Sequence, residues 1–155
     1  MDIRFRAAQP ADFRFARDLY FETMGWIIER LFGWDQAREE DNFAAFFKLD
    51  DARIILADGA EVGWMQEWAD DSSIVLGSLY VIPAMQRRGI GTWVLQSILE
   101  RAGREQKAVT LAVVKINPAL DFYVRHGFRI THEDEYKFYL RAERLSRLPH
   151  LEGGT

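Results

Sequence analysis

The stretch from Ser72 to Ala102 constrains the fold more than any other part of the chain. "SSIVLGSLYVI" reads as a buried strand, "PAMQRRGIG" as a loop, and the segment from about Gly91 to Gly103 as a helix. Val94, Leu95, Ile98, Leu99 and Ala102 form the apolar face of that helix. A strand that passes through a loop into an amphipathic helix demands a crossover, because the chain must return to the same sheet in parallel. The β-branched run "AVTLAVVKIN" supplies the returning strand.

The remaining elements are arranged around this unit. Asp2 to Ala7 alternates as a short strand. Pro10 opens a helix whose stripe is Phe13, Ala16, Tyr20, Met24, Ile27 and Leu31, with Gly25 as a point of bending and Gly33 as the stop. A second helix is expected over Trp34 to Phe47, with Phe43, Ala44, Phe46 and Phe47 inward. "ARIILAD" and "EVGWMQEWA" flank an Asp-Gly hairpin turn, and Ile74, Val75, Leu76, Leu79 and Val81 suggest a third strand buried on both faces. Asn117 and Pro118 cap a helix reaching His126, Gly127 ends it, and two closing strands turn around Glu133 to Glu135. The order is β-α-α-β-β-β-α-β-α-β-β. This predicts an α+β protein, a three-layer α/β/α sandwich around one mixed sheet, with a single domain over 1–145 and a frayed tail over 146–155.

Composition narrows the chemistry. The chain has 155 residues, 48% apolar and 28% charged, with a net charge of −4, as in ordinary folded globules. Nothing in that charge favours a nucleic-acid partner. The absence of cysteine excludes a disulfide framework, a thiolate nucleophile and cysteine-ligated metals, and no spacing of histidines suggests another metal site. Without an apolar leader at the start or an 18-residue apolar run, the expectation is a cytoplasmic protein with no membrane partner.

The loop itself is suited to anions. Gln86-Arg87-Arg88-Gly89-Ile90-Gly91 directs backbone N–H groups toward one concavity at a helix start, glycine permits close approach, and two arginines add charge. No Lys-Ser or Lys-Thr follows the glycines, so it is not a Walker A loop. Val94 stands where a dinucleotide fingerprint would need its third glycine.

"QRRGIG" at 86–91 resembles the Gln/Arg-x-x-Gly-x-Gly/Ala loop of the GCN5-related N-acetyltransferase (GNAT) superfamily. "NPALDFYVRHGF" at 117–128 is similar to that family's second signature, an asparagine opening a helix that ends in Tyr-x-x-x-Gly-Phe. With the element order, the resemblance covers residues 2 to 141. It implies a GNAT-like mixed sheet with a splayed pair of parallel strands, and acetyl-CoA as the acyl donor. The pyrophosphate would be held by the backbone of Arg87, Arg88, Gly89, Ile90 and Gly91, with Gln86 at the entrance. Tyr80, Val81 and Ile82 would pair with the pantetheine arm, and Asn117 would contact it. Tyr123 would give a proton to the departing thiolate, unless it is plain core packing.

The implied reaction is direct attack of an amine on the thioester in a ternary complex. An amine of pKa near 10.4 is only about one part in 2,500 neutral at pH 7, so deprotonation is needed. Several relatives carry a glutamate on the third strand, and this chain has Leu76, Gly77 and Ser78 there. Glu67 on the neighbouring strand is the substitute base, directly or through water; the plainer reading is a solvated strand-end carboxylate. Glu22 or Glu29 would attract a cationic acceptor, a small molecule or a peptide. Tyr20, Met24, Trp26, Phe32 and Trp34 either line the acceptor pocket or pack the helices, as do Trp64 and Trp68. His126 is expected to satisfy late helix carbonyls. Another acyl donor or a hydroxyl acceptor, or a non-catalytic acyl-CoA-binding role, remains open, and an exposed edge strand would allow two copies to pair.

Overall fold

The structure, a computed structural model, describes residues 1–143. Its elements are β1 (Ile3–Ala7), α1 (Phe13–Phe32), α2 (Gln36–Phe46), β2 (Ala52–Ala57), β3 (Ala60–Ala69), β4 (Ser73–Val81), α3 (Ile90–Arg104), β5 (Ala108–Val114), α4 (Ala119–Arg125), β6 (Arg129–Glu133) and β7 (Lys137–Ala142). The strands form one mixed sheet in the order β1-β2-β3-β4-β5-β7-β6, which is the mixed α/β arrangement expected. The tail expected to fray, 146–155, lies outside the described residues. Among the described residues no helix is long and apolar enough to cross a membrane, and no group of three or more His, Asp or Glu could hold a metal ion.

The described residues form two compact units, one of Met1–Glu67 with Gly77–Trp93, the other of Trp68–Leu76 with residues 94–143. In the first, β1 pairs antiparallel with β2 across the two intervening helices, and β2 pairs antiparallel with β3 through a hairpin at Asp58-Gly59. Both turn residues have positive φ, 51° and 85°, which explains the Asp-Gly pair. The core here contains Ala16 and Leu19 of α1, Phe43 and Phe47 of the second helix and its cap, and Ala52, Ile54 and Trp64 of the sheet. Phe43 stacks on Phe47 at 5.4 Å, and Trp64 meets both rings edge-on. Two expected inward residues point out instead: Ala44 and Phe46 are exposed. Phe43 and Phe47 are one turn apart, so the residue between them in the last turn cannot share their face. Gly25 leaves α1 unbroken and is covered by Trp34, whose ring lies 3.8 Å from where a Cβ would stand.

Asp12 is one of three buried carboxylates among the described residues of this unit, with Glu39 and Glu67. Its carboxylate accepts both guanidinium N–H groups of Arg6, at 2.8 and 2.9 Å, and the Gln9 N–H at 2.8 Å. The Arg6 bond holds the Asp12 carboxyl below the usual range against the opposing effect of burial, and the Gln9 N–H assists. A depressed carboxylate contributes stability that is complete above its unfolded pKa, about 4, and is lost as pH falls through the folded value. With Arg6 a third exposed, screening reduces the pair's worth. Asp12→Asn should therefore cost about 1–2 kcal/mol at pH 7, and urea titrations should show the gap to wild type closing below pH about 4.

In the second unit, the parallel ladder of β4 with β5 spans three pairs, Ser73↔Ala108 to Val75↔Thr110, although β5 continues to Val114. β5 then pairs antiparallel with β7 along six residues. Val94, Leu95, Ile98, Leu99 and Ala102 of α3 are all buried, as are Val109, Leu111, Val113, Phe128 and Leu140. Along β4 as a whole the burial alternates more than expected, with Ile74, Leu76 and Ser78 buried and Val75, Leu79 and Val81 only partly so.

Candidate active site

After β4 a single turn at Pro83–Met85 leads into the glycine loop. Gln86 is exposed at the start of the loop, and its Nε2 donates to the Val81 carbonyl at 2.9 Å, tying the loop to the strand it leaves. Arg87 and Gly89 both take positive φ, 64° and 84°. The Trp93 N–H donates to the Gly89 carbonyl at 2.9 Å, which makes Gly89 the cap of α3. The amides from Gly89 to Thr92 therefore precede the first intrahelical bond and have no partner within the helix, at the positive end of its dipole. Ile90 is buried and Trp93 packs on Phe5 at 5.4 Å, so these donors have a fixed base. Arg87 and Arg88 are exposed beside them. Helix starts of this form are physically suited to anions.

The strand feeding the loop is shaped by a bulge. The β2–β3 register passes from Ile55↔Gly63 to Leu56↔Glu61, leaving Val62 as the extra residue, and the Val62 carbonyl accepts from Ile82 N–H at 2.8 Å. A Cβ on Gly63 would stand 2.2 Å from the Tyr80 carbonyl oxygen, a backbone approach open only to glycine. Of the three residues expected to pair with a pantetheine arm, Ile82 thus uses its N–H within the sheet and Val81 its carbonyl for Gln86. The Tyr80 ring is held between Trp64 at 5.4 Å and Tyr20 at 5.7 Å. Trp64 Nε1 and Ser78 Oγ are buried with no hydrogen-bond partner among the described residues.

Glu67, expected as a substitute base, is buried rather than solvated at the strand end, and its Oε1 lies 3.6 Å from Arg53 Nη2. Gln66 beside it is fully occupied, accepting from Lys48 N–H and donating to the Phe46 carbonyl. Asp70 is a turn residue, accepting from the N–H groups of Ser72 and Ser73.

The second signature folds as a capped helix in the second unit. Asn117 Oδ1 accepts from Ala119 N–H at 2.9 Å, so its side chain caps α4. Gly127 ends the helix with φ 94°, and His126 Nδ1 lies 2.8 Å from the Phe122 carbonyl, the helix-end role expected of it. Tyr123 is buried against Phe122 and Phe128, and burial pushes its hydroxyl pKa up. That hydroxyl has no hydrogen-bond partner among the described residues.

Within the first unit, a cleft of about 590 Å³ runs between α1 and the end of β4, lined by Phe15, Asp18, Leu19, Phe21, Glu22 and Ile82. Of the carboxylates proposed to attract an acceptor, Glu22 lies there and Glu29 does not. The residues expected to line an acceptor pocket, Tyr20, Met24, Trp26, Phe32 and Trp34, are not among those that line this cleft. Met24 is core, Trp26 and Phe32 are exposed, Tyr20 packs on Phe43, and Trp34 meets Phe21 edge-on at 5.1 Å. Trp64 is wholly buried and packs on Phe43 and Phe47, the packing alternative given for it, while Trp68 is exposed. The lining residues 15, 18, 19 and 22 recur at helical spacing, a signal present in the sequence but masked by the stronger core stripe.

These features accord with known proteins. A model of the acetyltransferase (GNAT) domain matches residues 50–130. The chain belongs to that family. Among solved structures it is similar to the PaiA N-acetyltransferase from Thermoplasma acidophilum in complex with coenzyme A, at 17% identity, TM-score 0.76, covering 92% of this chain and 99% of that one. The ribosomal-protein-S18-alanine N-acetyltransferase from Escherichia coli is similar at 16% identity and TM-score 0.68, covering 95% and 96%. Arabidopsis thaliana Naa50 in complex with the bisubstrate analogue CoA-Ac-MVNAL follows at 15%, with TM-score 0.64 over 92% and 99%. At these identities the likeness establishes the fold. No curated protein matches by sequence.

Proposed function

We propose that the protein is an N-acetyltransferase that moves the acetyl group of acetyl-CoA to a primary amine by direct attack. The observation that carries this reading is the cradle at Arg87–Gly91: a glycine-capped helix start, with amides that have no partner within the helix and two arginines, suited to a pyrophosphate. The CoA-bound Thermoplasma acidophilum structure of the same fold supports it.

In the reaction the acceptor ammonium first loses a proton to Glu67, directly or through water. The nitrogen lone pair then forms the C–N bond at the thioester carbonyl, whose π electrons move to oxygen. Collapse breaks the C–S bond and leaves the pair on sulfur, while the nitrogen sheds a second proton as the amide forms. One proton ends on sulfur, so an ammonium and a thioester give an amide, a thiol and one released proton. Tyr123 keeps its hydroxyl proton throughout the neutral range, because burial raises its pKa. Since a thiol of pKa about 8.5 is the stronger acid, full transfer from tyrosine is uphill. Its contribution is the hydrogen bond that stabilises the departing thiolate, through which a proton from nitrogen can pass.

Incubation with acetyl-CoA and a panel of primary amines tests the reading: thiol release should depend on the added amine. Tight CoA binding without turnover across the panel would make the protein an acyl-CoA-binding protein instead. For the base, Glu67→Gln should lower kcat at pH 7 about ten-fold or more, with the deficit shrinking as pH approaches the amine's own pKa. A deficit independent of pH would remove Glu67 from proton transfer.

A further inference from the structure

Two polar atoms deep in the first unit are left over by the packing around them. Trp64 on β3 is wholly buried and Ser78 on β4 is 4% exposed. Neither Trp64 Nε1 nor Ser78 Oγ has a hydrogen-bond partner among the described residues. The two side chains share one face of the sheet. The Trp64 ring lies 5.4 Å from that of Tyr80, and Ser78 precedes Tyr80 by two residues on β4, so both point to that face. Gln66, the next residue of Trp64's parity on β3, is already committed to the Lys48 N–H and the Phe46 carbonyl.

The balance of costs calls for a guest. Left unpaired, each group would shift the folding equilibrium about ten-fold or more against the native state. Immobilising one water costs at most about thirty-fold. A single guest that serves both groups is therefore favoured. The partners define its chemistry. An indole N–H only donates, so the guest must present an acceptor, whereas a hydroxyl takes either role. Neither partner carries charge, and the rings of Phe43, Phe47 and Tyr80 pack on Trp64, so an ion would lose its hydration without compensation. Among close-packed strands and rings, a neutral group of one oxygen atom is what fits.

We propose that Trp64 and Ser78 hold one internal water. Its oxygen accepts from Trp64 Nε1–H, and one of its O–H groups donates to Ser78 Oγ. The water bridges β3 and β4, neighbours in the sheet, on the strand that leads into the glycine loop. This site is independent of the reaction proposed above.

A high-resolution crystal structure of the full chain should show one isolated density peak within about 3.2 Å of both Trp64 Nε1 and Ser78 Oγ. In solution, the Trp64 indole N–H, assigned with Trp64→Phe, should give a nuclear Overhauser effect at the water frequency, with the sign of a long-lived water. Ser78→Val removes the hydroxyl and fills the space with methyl groups, so that signal should be lost. Ser78→Ala, which removes one of the two partners, keeps the test open if the valine variant fails to fold; it should weaken the water's hold about ten-fold and lower the signal. No peak bridging the two atoms, a direct bond from either of them to a protein group, or density larger than one oxygen overturns the proposal. So does a water signal that survives unchanged in the serine variants.

Discussion

Tyr123→Phe is expected to lower kcat ten-fold or more while leaving CoA affinity within about two-fold of wild type. The ring is packed between Phe122 and Phe128, and that packing survives the change, since phenylalanine fills the same space. What disappears is one hydroxyl, which makes no hydrogen bond to another described residue. A structural role would predict no kinetic effect, because no bond within the protein is lost. A role at sulfur predicts slow breakdown of the tetrahedral intermediate, and leaving groups with a lower thiol pKa should partly recover the rate. Unchanged turnover with acetyl-CoA would remove Tyr123 from the mechanism.

The second large effect concerns stability. Gly63→Ala would place a methyl carbon 2.2 Å from the Tyr80 carbonyl oxygen and 3.2 Å from two further backbone atoms of Tyr80 and Val81. A flexible side chain could swing away, but these are main-chain atoms of an adjacent strand, so the sheet must deform at its bulge. We expect a loss of about 3 kcal/mol or more and a fall in Tm of about 6–12 °C. A Tm within 2 °C of wild type would show that the strands accommodate the methyl group readily. Gly33 and Gly59 are different cases, with open space around them and positive φ as their only constraint.

Much of this was readable in the chain because the informative signals were local. The Asp58-Gly59 turn, the Asn117 cap and the Gly127 stop each depend on the backbone conformation of one or two residues, whereas the Gly89 cap lies two residues before the helix start expected near Gly91. The α3 face emerged complete, since five apolar residues at helical spacing leave one solution. What failed to show was non-local. Parity assigned Trp64 and Trp68 to one face of β3 but carried no information about depth, and one is buried while the other is exposed. Glu67 looked like a carboxylate at a strand end, and only the hairpin register brings Arg53 near it. Burial of Gln66 likewise depends on the Phe46 carbonyl and Lys48 N–H, some twenty residues away. At the candidate site the backbone form of the glycine loop was legible and the lining of the α1 cleft was not. A glycine loop before a helix has a local form, whereas the cleft is lined by scattered surface residues such as Asp18 and Glu22.

The tie between Gln86 and the last carbonyl of β4 has a consequence for how quickly a nucleotide can be captured. A turn already fastened at its entry and capped at its exit need not search for its shape when an anion arrives. The ordering is completed during folding, so none of it is subtracted from affinity. Association should then proceed as docking into a rigid socket, at a rate set by diffusion and by the pull of Arg87 and Arg88, without a slower closing step.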